Sequence, residues 1–142
     1  MSGQAATVQP DDVMAVAAGI VGDSADPAFL VSMDGKIVAW NTAACEFFGV
    51  AAWQVKDRNC AAVVRGHSPD GEVLCVENCP MLMQLRRGER PEHANMLALV
   101  GGRPSTLRGA HVHHLPVTHP DVGPLGMLHV LHHPADSHAG EA

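Results

Sequence analysis

Long apolar runs are absent from this sequence of 142 residues. No window approaches the roughly 18 uninterrupted apolar residues of a membrane-spanning helix, so we expect no membrane span. The first twenty residues contain Asp11 and Asp12 but no Lys or Arg, whereas a secretory signal starts with basic residues ahead of its apolar stretch. The sequence therefore predicts a soluble protein that stays in the cytoplasm.

Basic side chains are also scarce. Nine Lys and Arg stand against fifteen Asp and Glu, which gives a formal net charge of −6. A negative net charge opposes long-range attraction to a polyanion or to an acidic lipid surface. We therefore expect no direct binding of nucleic acid or membrane.

Sequence signatures of common enzymes are missing as well. The chain contains no GxSxG, no HExxH and no glycine loop that could cradle a phosphate, and Gly101-Gly102 is typical of a hairpin turn. Internal repeats are absent, and the length suits one globular domain. The sequence thus favours a single binding module that is not an enzyme.

The N-terminal half predicts a helix, a hairpin and a second helix. Residues 11–21 place acidic side chains ahead of an apolar run, as a helix start does. Two β-prone runs, 28–32 and 36–40, flank a turn at Asp34-Gly35. Asn41 can then cap a helix that ends at Gly49, and short helical turns follow to about residue 64.

The C-terminal half begins with an excursion over residues 65–78, RGHSPDGEVLCVEN, which carries turn residues at 69–71. Pro80 suits the first turn of a longer helix that closes at Gly88. Three strands are predicted over residues 93–100, 105–117 and 125–132. This order predicts an α+β fold with a five-stranded antiparallel sheet, helices gathered on one face, and the additional N-terminal helix.

The segment FLVSMDGKIVAWNTAACEFFGV resembles the PAS family, in which a strand, a DG turn and a strand ending in W-N lead into a helix that closes on F-G. The matching positions are Asp34, Gly35, Ile37, Trp40, Asn41, Ala44, Phe48 and Gly49. The resemblance implies a PAS-like sensor domain over residues 25–133, after a tail and flanking helix at 1–24 and before a disordered tail at 134–142. It also implies a cofactor or small ligand between the helices and the inner face of the sheet.

A PAS-type module passes its signal to another part of a signalling system. We expect a homodimer formed through residues 11–22, because an amphipathic helix ahead of the core needs apolar cover. The output partner is expected to be a histidine kinase or a transcription regulator, since no output domain is visible in the sequence. The chain could equally be a fragment of a longer regulator.

Three cysteines are the candidate site. One subgroup of PAS domains resembles this chain more closely, with a cysteine at the position of Cys60 and a CxxxCP pair at Cys75 and Cys79. Three thiolates suit a zinc ion or an iron–sulfur cluster, and a fourth ligand could come from Cys45, His67, His93 or outside the protein. Two other interpretations remain open, namely structural cysteines and a redox switch centred on Cys79.

Flavin and haem are weaker alternatives. Asn59-Cys60 resembles the N-C of light-oxygen-voltage domains, but the R-F-L-Q that follows there is replaced by A-A-V-V, and the last two strands lack Asn and Gln. A haem histidine is missing from the predicted helix at 79–88. His111, His113 and His129 could share one sheet face by two-residue alternation, where solvated surface histidines are the expected outcome.

Overall fold

A computed structural model describes residues 8–68, 70, 75, 79–89, 94–100 and 106–132, with the backbone alone described for 94–100 and 106–108. Its helices are α1 (Pro10–Asp23), α2 (Thr42–Phe48), α3 (Ala52–Val55), α4 (Cys60–Val64) and α5 (Pro80–Arg86). Its strands are β1 (Ala28–Ser32), β2 (Ile37–Trp40), β3 (Gly66–His67), β4 (Ala94–Val100), β5 (Thr106–His119) and β6 (Gly123–His132). Among these residues, no helix is long and apolar enough to cross a membrane.

The strands form one antiparallel sheet in the order β2-β1-β6-β5-β4-β3. The five strands and the α+β class predicted from the sequence are confirmed. The sixth strand, β3, was not predicted, because it is two residues long and lies inside the segment interpreted as an excursion. The prediction of a longer helix after Pro80 was wrong: α2 and α5 both have seven residues, and α5 gives way to a turn at Arg87 and Gly88.

The two faces of the sheet bury different clusters of apolar side chains. On the inner face, Phe29, Val31 and Met127 pack with side chains of α2 to α5. On the outer face, Leu30 and Leu128 pack with side chains of α1. Because neighbouring strand residues point to opposite faces, α1 lies alone on one side of the sheet and the other helices lie on the other.

Helix α1 therefore obtains its apolar cover from the sheet of its own chain. Ala17 and Val21 are 4% and 1% exposed against the outer face. The reason given above for a homodimer was therefore wrong, because a partner is not needed to cover this face. The opposite side of the helix does carry apolar side chains in solvent, with Val16 65% and Ile20 53% exposed.

The buried side chain of Asn41 ties α1, β1 and α2 together. Its Oδ1 accepts hydrogen bonds from the backbone N–H of Ala28 at 3.1 Å and of Ala44 at 2.8 Å. Its Nδ2 donates to the carbonyl oxygens of Val21 and Asp26 at 3.0 and 2.9 Å. The predicted helix cap is confirmed, and the same amide also fixes the end of α1.

Candidate functional site: a cluster of three cysteines

Cys60 is held at the start of α4 by backbone and side-chain hydrogen bonds. Its N–H donates to the carbonyl of Gly35 at 2.8 Å, which joins the cysteine to the turn between β1 and β2. The preceding residue, Asn59, caps α4 by accepting from the N–H of Ala61 at 2.9 Å. The motif N-C therefore places the thiol where a helix leaves the edge of the sheet.

The other two cysteines approach from the second half of the chain. The N–H of Cys75 donates to the carbonyl of Gly66 in β3 at 3.2 Å. Cys79 is the cap residue of α5, and its carbonyl accepts from the N–H of Met83 at 3.1 Å. All three side chains are partly buried and pack against the core of the inner face, so α4, the residue bonded to β3 and the start of α5 bring them to the same side of the sheet.

We call Cys60, Cys75 and Cys79 the thiol cluster. All are free thiols in the structure. Burial raises the pKa of Cys60 well above its ordinary value, and Cys75 and Cys79 raise it further. Burial also raises the pKa of Cys75, the backbone at Gly66 lowers it in part, and Cys79 raises it again. Cys75 and Cys79 are thus close enough to Cys60 to raise its pKa, and the protonated thiols of Cys60 and Cys75 are favoured at neutral pH.

The donor chemistry of the thiol cluster suits a soft metal ion or an iron–sulfur cluster. The positions of the side chains differ from this donor chemistry: within the described residues, no three His, Cys, Asp or Glu side chains are arranged to hold a metal ion. Of the suggested fourth ligands, His93 lies outside the described residues. Cys45 packs on the same core from α2, while the thiols that shift the pKa of Cys60 are Cys75 and Cys79.

His67, the remaining suggested ligand, lies in β3. It pairs with position 97 of β4, which pairs with position 109 of β5. Positions 110 and 112 of β5 face the inner core, so the register places His67 on the outer face, away from the thiol cluster. Its Nδ1 is buried without a hydrogen-bond partner. The register therefore does not favour His67 as a ligand of these thiols.

Two histidines lie on the inner face, where the sequence did not predict them. His114 and His129 are paired across β5 and β6, and their rings meet edge to face with centroids 5.0 Å apart. His114 is 5% exposed, and the Nδ1 of His129 is buried without a hydrogen-bond partner. The placement of His129 on the same face as His111 and His113 was therefore wrong. Counting positions along β5 and β6 together, with Val112 and Leu131 as inner residues, would have identified the pair.

His111 and His113 do share a face, as predicted, and the third member of their group is His132. The ring centroids are 4.8 Å apart for His111 and His113 and 4.7 Å apart for His113 and His132. Nδ1 of His132 lies 3.6 Å from a carboxylate oxygen of Asp26. All three rings are partly exposed on the outer face, so they form a surface group separate from the thiol cluster.

A groove of about 390 Å³ opens at the far end of α5. It is lined by Leu85, Gly88, Glu89, Pro116, Thr118 and Pro124. Helix α5 has seven residues and so spans about 10 Å. The helix therefore begins at a member of the thiol cluster and ends beside this groove.

The fold and the motif around Asn41 define a sensory module. A family model for the PAS fold matches residues 18–133, and the chain belongs to this family. The resemblance drawn from the DG turn and the W-N dipeptide is confirmed. PAS domains are generally sensory, signal-transducing modules and not catalysts.

Solved structures carry the same fold. The PAS domain of BvgS from Bordetella pertussis is 18% identical, and the superposition covers 92% of this chain and 94% of that domain with a TM-score of 0.64. A LOV protein of Rhodobacter sphaeroides is 16% identical over 84% of this chain and 66% of its own, with a TM-score of 0.61. The PAS domain of nitrogen regulation protein NR(II) from Vibrio parahaemolyticus is 14% identical over 83% and 97%, with a TM-score of 0.55. No curated protein matches the chain by sequence.

Proposed function

We propose that this PAS domain receives its signal at the thiol cluster, by loading of Cys60, Cys75 and Cys79 with a soft metal ion or an iron–sulfur cluster in a reducing compartment. The observation that carries the proposal is that all three thiols pack against the inner core and that Cys75 and Cys79 both raise the pKa of Cys60. In such a compartment, four cysteines are also more typical of metal or redox chemistry than of disulfides.

The position of the thiol cluster suits a sensor. Cys60 is hydrogen-bonded to the turn between β1 and β2, Cys75 to β3, and Cys79 caps α5. A change in the preferred positions of these thiols would act on both edges of the sheet and on a helix that packs against its inner face. The signal then becomes a shift between conformations that the output partner, a kinase or a transcription regulator, distinguishes.

Metal and sulfide analysis with a visible spectrum, on protein purified without oxygen, tests the proposal. Iron with sulfide and a brown colour would support a cluster, and zinc alone would support a metal site. Because a thiolate must lose its proton to bind a metal, loading should also release protons. The variants Cys75→Ser and Cys79→Ser should lose the metal while circular dichroism shows unchanged strand content.

The matched control is Cys45→Ser, which removes a thiol from the same core but not from the thiol cluster. It should retain the metal content of the unmodified chain. Full metal content in the double variant of Cys75 and Cys79 would contradict the proposal, and so would metal-free, colourless protein from every anaerobic preparation.

A second candidate is a dimerising interaction module whose cysteines are structural. It is favoured by the exposed side chains of Val16 and Ile20, which lie on α1 opposite its contact with the sheet. The occupant would be α1 of a second copy. The double variant Val16→Lys and Ile20→Lys should convert a dimer to a monomer in sedimentation analysis. A monomeric unmodified chain would exclude the dimerising module.

A further inference from the structure

The exposed side of α1 carries two apolar side chains between two acidic ones. Val16 and Ile20 are 65% and 53% exposed. Asp12 lies four residues before Val16 and Asp23 three residues after Ile20, and both carboxylates are exposed. Residues three or four apart share a helix face, so these four side chains form one line of about 16 Å, which we call the acidic stripe. Residues 1–35 contain no Lys or Arg, so no basic side chain of this segment neutralises the stripe.

Trp53 exposes its ring on α3. It is 80% exposed, whereas the other Trp and the three Phe are at most 8% exposed. Lys56 and Arg58 follow within five residues, and both are exposed. Lys36 lies beside Arg58, because the N–H of Ile37 donates to the carbonyl oxygen of Arg58 at 2.9 Å. We call this ring and the three basic side chains around it the tryptophan surface; Trp and Arg are the residue types most enriched at the energetic centres of protein interfaces.

The tryptophan surface also contains acidic groups, but fewer than basic ones. Asp34 lies 4.0 Å from the ammonium of Lys36, and Asp57 is exposed. Arg86 of α5 adds a fourth basic group, because its guanidinium donates to the carbonyl oxygen of Met33 at 2.7 Å, in the same turn between β1 and β2. Of these side chains four are basic and two are acidic, so the surface is positive in a chain whose net charge is −6.

We propose that the acidic stripe of one copy docks on the tryptophan surface of a second copy. The two surfaces are complementary, because each has apolar groups among charges and the charges are of opposite sign. Val16 and Ile20 would cover the ring of Trp53, while the carboxylates at both ends of the stripe would meet the basic groups around that ring. The stripe lies on the outer side of the sheet and α3 on the inner side, so copies would be joined head to tail.

A pairing of two α1 helices has an electrostatic cost that the head-to-tail contact avoids. In such a pair the stripe would face its own copy, and Asp12 and Asp23 would lie against other carboxylates. Like charges repel at close range, and salt screens that repulsion. Salt equally screens the attraction between the acidic stripe and a basic surface. The two modes of association therefore respond to salt in opposite directions.

Sedimentation velocity of the full chain over a concentration series, in about 50 mM and about 500 mM NaCl, measures this response. The association constant should be at least about tenfold lower at the higher salt, because exposed charges are screened there. Acrylamide quenching gives a second readout, since association should protect Trp53, while Trp40 is already buried. An association constant that rises with salt would overturn the proposal, as would a chain that stays monomeric up to about 1 mM.

Two variants that each damage one surface make the test specific. Val16→Lys combined with Ile20→Lys destroys the acidic stripe, and Trp53→Glu destroys the tryptophan surface. Each variant alone should be monomeric, whereas an equimolar mixture should form heterodimers, because each copy still carries the surface that the other lacks. If two α1 helices paired with each other, Trp53→Glu would associate by itself. That result would contradict the head-to-tail contact, and so would a mixture that stays monomeric.

Met83→Glu is the matched control, because it places the same acidic residue at an apolar position of α5 that is 47% exposed. It should associate as the unmodified chain does. Circular dichroism checks that each variant folds. If Trp53→Glu did not fold, Arg58→Glu would reverse one charge of the same surface and should lower the association constant about tenfold. An unchanged association constant in folded Arg58→Glu would overturn the proposal.

Discussion

The imidazole of His129 stacks on the ring of Phe29, with ring centroids 4.4 Å apart and an angle of 10° between the planes. The edge-to-face contact with His114 lies on the same inner face. Burial lowers the pKa of His129 to about 3, His114 lowers it as well, and a hydrogen bond with the backbone at Met127 raises it in part. The ring thus belongs to the aromatic core as a neutral group.

The low pKa of the buried His129 imidazole predicts that the protein loses stability in acid. The unfolded chain binds a proton at this histidine below about pH 6.5, whereas the folded chain binds it only near pH 3. Stability should therefore fall as the pH is lowered through that window, by up to about 1.4 kcal/mol per pH unit from this group. Urea denaturation at a series of pH values measures the slope.

The variant His129→Phe should flatten this acid dependence, since it removes the titrating group and keeps a ring against Phe29. His111→Gln is the control, because it removes an imidazole from the outer face of the same pair of strands. An unchanged slope in His129→Phe would show that another group causes the loss.

Asn41 gives a second prediction. Its amide donates to backbone carbonyls and accepts from backbone N–H groups, so a carboxylate at this position would face carbonyl oxygens. We expect Asn41→Asp to lower the free energy of unfolding by about 3 kcal/mol at neutral pH, because buried groups lose their partners. Asn59→Asp is the matched control: within the described part of the chain that side chain acts as an acceptor, from Ala61, and an aspartate can do the same. Equal losses in the two variants would contradict this account.

The hydrogen bonds of Asn41 also show which contacts can be predicted from the sequence and which cannot. The dipeptide Trp40-Asn41 and the glycine turns are local signals, because each residue type has a backbone preference or a capping role, and they predicted the first hairpin and α2. Nothing local to Asn41 indicates that its amide also reaches Val21, twenty residues earlier in the chain. That contact depends on where α1 packs, which is decided by tertiary structure.

The candidate site shows the same limit. The resemblance to one subgroup of PAS domains predicted Cys60, Cys75 and Cys79 as one site, and the structure places all three against one core. The faces of the sheet were harder to predict, because the register of β5 and β6 decides them. A single strand predicts only that His111 and His113 share a face; the pairing of His114 with His129 needs both strands.

Gly126 gives a third prediction, on the contact between α1 and the sheet. A Cβ atom here would collide with the carbonyl oxygen of Val31 and lie 3.2 Å from Cε of Met14 in α1. Gly126→Ala should therefore lower the free energy of unfolding by about 1–3 kcal/mol, as overpacking does. Gly19→Ala is the control, because a Cβ atom here would meet no described atom within 4 Å apart from its own helix backbone, and the residue is in the helix interior. It should stabilise the chain by about 0.5–1 kcal/mol, and thermal melting distinguishes the two signs.

The thiol cluster gives the last prediction, which does not depend on any metal. Because burial and the neighbouring thiols raise the pKa of Cys60, little reactive thiolate exists at neutral pH, and iodoacetamide should modify this residue more slowly in the folded chain than in urea. Replacing Cys75 and Cys79 together by Ser removes the two charge effects, which act when those thiols are ionised in alkali, so the pKa of Cys60 read from the pH dependence of its modification should be lower in the folded variant; peptide mass spectrometry measures the rate at each pH. Cys45→Ser should leave the rate at Cys60 unchanged. If the pH dependence of Cys60 modification were the same in the double variant and in the unmodified chain, the thiols would not be interacting, and Cys60, Cys75 and Cys79 would not form one site.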